Sequence, residues 1–483
     1  DFCPRAKGHF ARLPKALDEM MRSTDWNAQA VSEMADRHSL CPFEFALSLC
    51  EIADVVICDY NYVFDPIVRI KRIFESRYDL TLLADESHNL ASRVRDMLSG
   101  LSDGKALCEF RRKLGRVSGR KGPLYKAVTG VLRVLRSIEI EQDEAELQTL
   151  PDGLPPAMQA LLDALTEAFA APPPGEAGQA LGDLFRMAVS FLAAADRRLS
   201  NYAILCRRQG KERAVKLLCL SVAEHLAETT KKLSGVVYFS ATLSPLSAMR
   251  TLLGGGEADA CFALPSPFPP ENLLVVRHRV DTRYALRRET APKVAQVIVQ
   301  AFAAKPGKYI AFFPSYAYLR LVAEELAAAE PALPVLVQKS GMADADREQF
   351  LSRFTADSDP LLGLAVLGGV FAEGIDLPGE RLLGVMVVGV GLPMVCPEQE
   401  VLRRYYEETL DAGFAYAYRY PGMHKVLQAA GRVIRSETDR GVVLLIDNRY
   451  FHSDYLSLCP PHWRFEREAV PAFWSSAGSP YGV

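Results

Sequence analysis

No stretch of this 483-residue sequence is long and apolar enough to cross a membrane. The longest apolar runs, at 361–370 and 382–390, are broken by glycine and flanked by polar residues, so they read as buried parallel strands. The opening "DFCPRAKGHF" has no signal-peptide core, which makes the cytoplasm the expected compartment. It also has no starting Met, so the chain is expected to begin inside a longer protein. The ten cysteines have no disulfide-scaffold rhythm. That suggests reducing surroundings, where clustered cysteines are metal or iron–sulfur candidates first. Neither sign of charge dominates: 56 Lys and Arg face 59 Asp and Glu, for a net charge of -3. Global charge therefore neither demands nor excludes nucleic acid, and local patches must decide. No tandem repeat is evident. Missing too is the phosphate loop G-x-x-x-x-G-K-[ST]. "SDGKALC" and "PGKYIAF" contain Gly-Lys, but neither has the first Gly at its distance or a following Ser or Thr.

What is present is an ordinary globular composition, 49% hydrophobic and 24% charged, of a length that implies roughly two to four domains. Residues 1 to about 50 are polar and helical, with little apolar periodicity. "ADVVICDYNYVFDP" (53–66) reads as a strand over 55–58 running into a loop, and "DLTLLADE" as a second strand. From about 95 to 225, Leu, Ala, Arg and Glu recur at helical spacing, interrupted by "APPPGEAGQ" (171–179): a helical insertion with a linker inside it. "GVVYFSATLSP" (235–245) returns to strand. After it, "NLLVVRHRV", "KYIAFFPSY", "PVLVQ", "LGLAVLGG", "LLGVMVVGVGLP" and "GVVLLID" alternate with helical stretches, the pattern of a doubly wound α/β domain.

Four stretches carry candidate chemistry. Asp85 and Glu86 close a strand, where parallel sheets place ligands; Asp85 could hold Mg²⁺ and Glu86 could activate a water. A strand-end turn with solvated acids is the plain alternative. In "FSATLSP", Ser240 and Thr242 are small hydroxyls able to couple a nucleotide to a nucleic-acid groove, or simply a strand exit. "GGVFAEGIDLPG" (368–379) sets glycines beside Glu373, Gly374 and Asp376, giving close approach to phosphate or sugar, or a tight turn. "QAAGRVIRSETDRG" (428–441) places Gln428, Arg432 and Arg435 on one helical face, an arrangement suited to arginine fingers. A solvated basic face explains the charges but not the Gln or the Gly. The run 110–137 carries Arg111, Arg112, Lys113, Arg116, Arg120 and Lys121, which either track a phosphate backbone or face solvent. Tyr60, Tyr62, Phe313 and Tyr316 sit at strand ends and either stack on bases or pack.

In order, these motifs resemble those of superfamily-two helicases. The stretches "CPFEFALSLCEIADVVICDYNYVFDP", "ADESHNL", "FFPSY", "FAEGIDLPGE" and "QAAGRVIRSETDRGVVLLIDNRY" resemble, more narrowly, the XPD/DinG family of iron–sulfur DNA helicases in a bacterial form. That resemblance implies an α/β chain with two RecA-like P-loop NTPase motor domains, the first incomplete, a helical arch insertion and a remnant iron–sulfur module. Expected boundaries are 1–51 for that module, 52–95 and 226–255 for the first motor domain, 96–225 for the arch and 256–483 for the second motor domain. It implies ATP and Mg²⁺ as nucleotide and ion, single-stranded or forked DNA as partner, a monomer, and unwinding, usually 5′ to 3′, in repair or replication. By motif, Asp85 would hold Mg²⁺, Glu86 would activate water and His88 would link hydrolysis to motion. Gln428, Arg432 and Arg435 would serve as sensors and fingers, and Glu373, Gly374 and Asp376 would edge the nucleotide. Cys3 and Cys41, each followed by Pro, match two ligands of a [4Fe–4S] cluster, with further ligands and the phosphate loop expected upstream. Cys50 and Cys58 read as core cysteines. The rivals are a nucleic-acid-binding scaffold without a phosphate loop, and a translocase or RNA helicase.

Overall fold

The computed structural model describes residues 4–76, 79–197, 199–369, 371, 377–466 and 470–475. The amino-terminal segment forms three helices, His9–Met21, Ala28–Arg37 and Pro42–Ile52. Ala16, Met20, Val31, Met34, Phe45 and Leu49 close a small core of their own there. The expectation of little apolar periodicity is thus corrected: the stripe is narrow, but three helices meeting along it suffice. Residues 55–58, expected as a strand, have no ladder partner among the described residues, and Val55 is 78% and Ile57 96% exposed. Their β-branched side chains favour extension, but a strand also needs a neighbouring edge to pair with.

The strand β1 (Thr81–Ala84) ends in the acidic turn. The chain then makes its long excursion, containing β2 (Gly100–Asp103), β3 (Glu144–Leu147), β4 (Tyr202–Gln209) and β5 (Glu212–Cys219). These form an antiparallel sheet in the order β2-β5-β4-β3, flanked by the helices Gly104–Val117, Pro123–Ser137, Leu154–Ala168 and Leu181–Ala195. The excursion is therefore mixed rather than helical. Its hairpin escaped notice because β4 and β5 are covered on both faces. Ile204, Cys206, Val215 and Leu217 face the helices of the excursion, while Ala203, Leu205 and Leu218 pack on Val401, Leu402, Tyr406 and Tyr418 far down the chain. With both faces buried, the polar half of the strand alternation disappears. Gly210, at φ 68°, makes the two-residue turn.

The strand β6 (Gly235–Tyr238) returns to pair parallel with β1, in a sheet of two strands that leaves Leu83 66% and Val237 49% exposed. Seven further strands follow among the described residues: β7 (Leu273–His278), β8 (Lys308–Phe313), β9 (Val335–Val337), β10 (Leu361–Val366), β11 (Gly384–Val388), β12 (Gly441–Ile446) and β13 (Phe465–Glu466). They form one parallel sheet in the order β13-β7-β12-β11-β8-β10-β9. Alternate residues serve two cores. Val275, Ile310, Phe312, Val385 and Val443 face one side; Leu274, Tyr309, Phe313, Met386 and Leu444 face the other. This is the doubly wound layering that the apolar runs predict.

The helix Tyr420–Ala430 lies against the exit of β11. At Gly422 a Cβ would sit 2.6 Å from the Val390 carbonyl oxygen, so only glycine allows this approach. That close seat aims the end of the helix at the turn after β1.

Candidate active site

Because β1 and β6 run parallel and in register, Ala84 and Tyr238 finish side by side. The ladder continues past them: the Phe239 N–H donates to the Ala84 carbonyl and the Ser87 N–H to the Phe239 carbonyl, each at 3.0 Å. Between these bonds the chain must reverse at Glu86, which takes the left-handed conformation at φ 50°, ψ 35°. For a residue with a Cβ that costs on the order of 1–2 kcal/mol. Local bonds hold it. Asp85 Oδ1 accepts the Glu86 N–H at 2.7 Å, the Ser87 hydroxyl donates to the Ala84 carbonyl at 2.7 Å, and the Tyr60 hydroxyl donates to the Asp85 carbonyl. Burial, with the Glu86 and Asp85 charges, pushes the Tyr60 phenol up to about 12, so it stays a neutral donor. Tyr60 thus braces the acidic turn. It starts a short helix, Asn61–Phe64, rather than ending a strand.

Four side chains from three distant segments line up beyond this turn. The Gln428 amide Nε2 donates to His88 Nε2 at 2.6 Å, which puts the imidazole proton on Nδ1. His88 Nδ1 lies 2.7 Å from Ser240 Oγ, and the Ser240 hydroxyl donates to Glu86 Oε2 at 3.0 Å. The Thr242 N–H fills the second lone pair of Ser240 Oγ at 3.2 Å. Every donor in the chain meets an acceptor, and the polarity runs one way, from the helix of the seven-stranded unit to the carboxylate of the two-stranded one. Burial drives the His88 pKa down to about 4, against the raising effect of Asp85. At neutral pH the ring is therefore uncharged, as an acceptor at Nε2 must be.

His424 was not singled out by sequence. Its ring packs edge-on to His88 at 5.8 Å, and its Nε2 bonds the Ser244 carbonyl at 2.6 Å. It lies one helical turn before Gln428, on the same face; that spacing is the signal that could have found it. Arg432 and Arg435 lie beyond the helix, which ends at Ala430 with Gly431 as its cap. The expectation of one helical face is corrected: glycine stops the helix, and a turn carries the arginines on. Both still line a cavity of about 480 Å³, together with Glu86, Thr242, Gln428, Phe268 and Trp463.

Asp85 and Glu86 are exposed at the mouth of the turn. One exposed carboxylate fits Mg²⁺, which favours hard oxygen ligands and keeps several waters; when bound it neutralises phosphate charge. Cys3, Glu373, Gly374 and Asp376 lie outside the described residues. Cys41 is half-buried at the start of a helix. No group of three or more His, Cys, Asp or Glu among the described residues is placed to hold a metal ion. The described residues therefore hold no site for a four-thiolate cluster. Cys50 is half-buried, but Cys58 is exposed rather than core, because the strand expected to bury it is not formed.

The other expected contacts divide. Phe313 is fully buried and edges Tyr318, so it packs. The Tyr316 hydroxyl accepts from Gln338 Nε2 at 3.1 Å, and Gln338 Oε1 takes the Val366 N–H at 2.7 Å, tying together the ends of three strands. Tyr62 is half-buried. Arg112, Arg116, Arg120 and Lys121 are exposed and Arg111 half-buried, while Lys113 pairs with Glu176 at 2.7 Å.

Residues 298–466 match the helicase C-terminal domain family, and residues 3–104 match the DEAD_2 family. The mouse ATP-dependent DNA helicase DDX11 is 26% identical over 329 residues, covering 60% of this chain and 36% of that protein. The Escherichia coli ATP-dependent DNA helicase YoaA is 29% identical over 256 residues, covering 50% and 38%. The chain thus spans little more than a third of the length of either relative. A solved XPD helicase structure superposes with a TM-score of 0.63 at 17% identity, covering 91% of this chain and 78% of the other. The chain thus has the fold of the XPD helicase structure and matches two helicase families, over residues 3–104 and 298–466. In that frame the two parallel sheets are its two RecA-like domains, and the hydrogen-bonded line from Gln428 to Glu86 joins them. No helix among the described residues is long and apolar enough to cross a membrane.

Proposed function

We propose that this protein couples Mg-ATP hydrolysis to 5′ to 3′ translocation along single-stranded DNA, opening duplex ahead of it, as a cytoplasmic monomer in repair or replication. The observation that carries the reading is the directed hydrogen-bond line Gln428–His88–Ser240–Glu86. A relative movement of the two sheets breaks or makes that line, and its end is the carboxylate suited to activating water. Asp85 would hold the metal, and Arg432 and Arg435 face the same cavity, where cations stabilise charge developing on a transferred phosphoryl group. Glu373, Gly374 and Asp376 would edge the nucleotide. The chain would divide near residues 51, 95, 225 and 255. Single-stranded DNA would cross both motor domains, with Arg111 and Arg112 of the excursion adding phosphate contacts. Cys3 and Cys41 enter this reading only as candidate iron ligands awaiting partners.

The test is hydrolysis by the natural gene product with and without single-stranded DNA, paired with strand displacement on forked DNA. DNA-stimulated turnover that Glu86→Gln abolishes is expected. DNA binding without turnover would favour the scaffold reading. Turnover stimulated only by RNA would move the substrate class.

A further inference from the structure

The line through His88 is one connection between the two sheet units; another runs through residues that no motif includes. The helix Leu90–Leu98 begins directly after the turn that holds His88. From it, Arg95 Nη2 donates to the Tyr406 hydroxyl at 2.7 Å. Tyr406 is buried on the helix Pro397–Leu410 of the second motor domain. Its ring stacks on Tyr416 at 5.1 Å, and Tyr416 meets Tyr420 edge-on at 5.2 Å. Tyr416 sits in a π-helical turn, Ala415–Arg419, a form that recurs at functional sites. Tyr420 is the first residue of the helix whose last turn carries Gln428.

These contacts form a closed circuit. It leaves the acidic turn along one helix, crosses to the second domain at Arg95 and passes through stacked rings to the start of the Gln428 helix. It returns to the acidic turn where Gln428 meets His88. The helix is therefore held at both ends by the same element of the first domain. A hydrogen bond of 2.6 Å tolerates little displacement, so the ring contacts at one end fix whether the bond at the other can form. The excursion bears on the same place: Leu205 and Leu218 pack against the Tyr406 cluster, and Lys216 Nζ meets Glu398 Oε2 at 2.5 Å on the helix of Tyr406.

We propose that Arg95 and Tyr406 are positioning residues for hydrolysis, setting through Tyr416 and Tyr420 where Gln428 and the arginine segment after it meet the first motor domain. This rests on the hydrolytic reading above, and its test has an arm that does not.

Tyr406→Phe removes one hydroxyl and keeps the stacked ring. In hydrogen exchange on this chain, amides 424–431 should lose about tenfold protection, the scale of one ordinary hydrogen bond, while β8, β11 and β12 keep theirs. Arg95→Leu should act alike, and the double variant should lose no more than either single one, because both break the same contact. A role in packing alone would instead lower protection throughout the second sheet. In the natural gene product, Tyr406→Phe should reduce kcat by about tenfold with KM for ATP nearly constant. Unchanged exchange at 424–431, additive single variants, or a change in KM alone would each overturn the proposal. A gene product without any turnover would instead defeat the hydrolytic reading, leaving exchange to decide whether Arg95 and Tyr406 position this helix.

Discussion

His88 accepts a hydrogen bond from Gln428 across 340 positions of sequence, at 2.6 Å, with His88 buried and Gln428 half-buried. The bond specifies the chemistry of each partner. In this amide orientation a protonated imidazole would turn a donor toward a donor, so the contact as it stands needs a neutral His88. Gln428→Ala removes the donor and leaves a buried acceptor unpaired, a loss of about 1–3 kcal/mol in the closed arrangement. DNA-stimulated hydrolysis should therefore drop by roughly tenfold or more, with single-strand affinity little changed. Fluorescence anisotropy beside steady-state turnover checks this; parallel losses in both would place Gln428 in the DNA path.

Arg432 and Arg435 line the cavity that Glu86 enters, from the unit of the seven-stranded sheet. Cations so placed act on charge that develops in the transition state. Arg432→Ala and Arg435→Ala should each lower kcat of the natural gene product by roughly 10²-fold or more, leaving DNA affinity nearly intact. Normal turnover with weakened DNA binding would reassign them to the DNA groove.

The strands of the seven-stranded sheet were legible because each is a short apolar run between helical stretches; Leu361–Val366 and Gly441–Ile446 lie inside the runs so identified. The line of the site was legible as residues but not as a relay. Glu86, His88, Ser240 and Gln428 are named by motif, whereas their order and tautomer depend on a parallel register between β1 and β6 that sequence does not carry. Arg95 and Tyr406 were not legible, since a lone Arg and a lone Tyr on helices carry no pattern. The hairpin of β4 and β5 was misread because cover on both faces erased its alternation.

On the excursion, Arg112 is exposed and Arg111 half-buried, but Lys113 is already paired with Glu176. If this face tracks single-stranded DNA, replacing Arg111 and Arg112 with Gln should flatten the log–log salt dependence of binding by about 1.4, at roughly 0.7 for each phosphate contact. Lys113→Gln should add less, because its ammonium already has a carboxylate to neutralise it. An unchanged slope would make this a solvent-facing helix.

Cys41 stands at a helix start with no metal-holding group among the described residues. This chain, purified without oxygen, should be colourless and hold no stoichiometric iron by elemental analysis. Cys41→Ser should then leave its unfolding midpoint nearly unchanged. The three amino-terminal helices keep their own apolar core and do not rely on a thiolate. A brown chain that Cys41→Ser bleaches would show that ligands outside the described residues assemble a cluster.

His88 and His424 are both held neutral: burial brings each pKa down to about 4, from 6.5 in the unfolded chain. Asp85 opposes the shift at His88; at His424 the Ser244 carbonyl opposes it and His88 adds to it. The unfolded chain therefore takes up protons below about pH 6.5 that the folded chain refuses until about pH 4. Stability from this source is complete above the unfolded pKa, falls as pH drops through that window and levels off below it. Each histidine accounts for up to roughly 3 kcal/mol over the full window. His424→Gln keeps a donor for the Ser244 carbonyl and removes one titrating group. Near pH 7.5 the variant should be less stable than the parent by its lost ring packing, and near pH 5 the two urea midpoints should converge or cross. Parallel curves across that range would mean that His424 titrates normally in the folded chain. The neutral pair beside Gln428 would then not be what keeps the inter-domain bond intact at working pH.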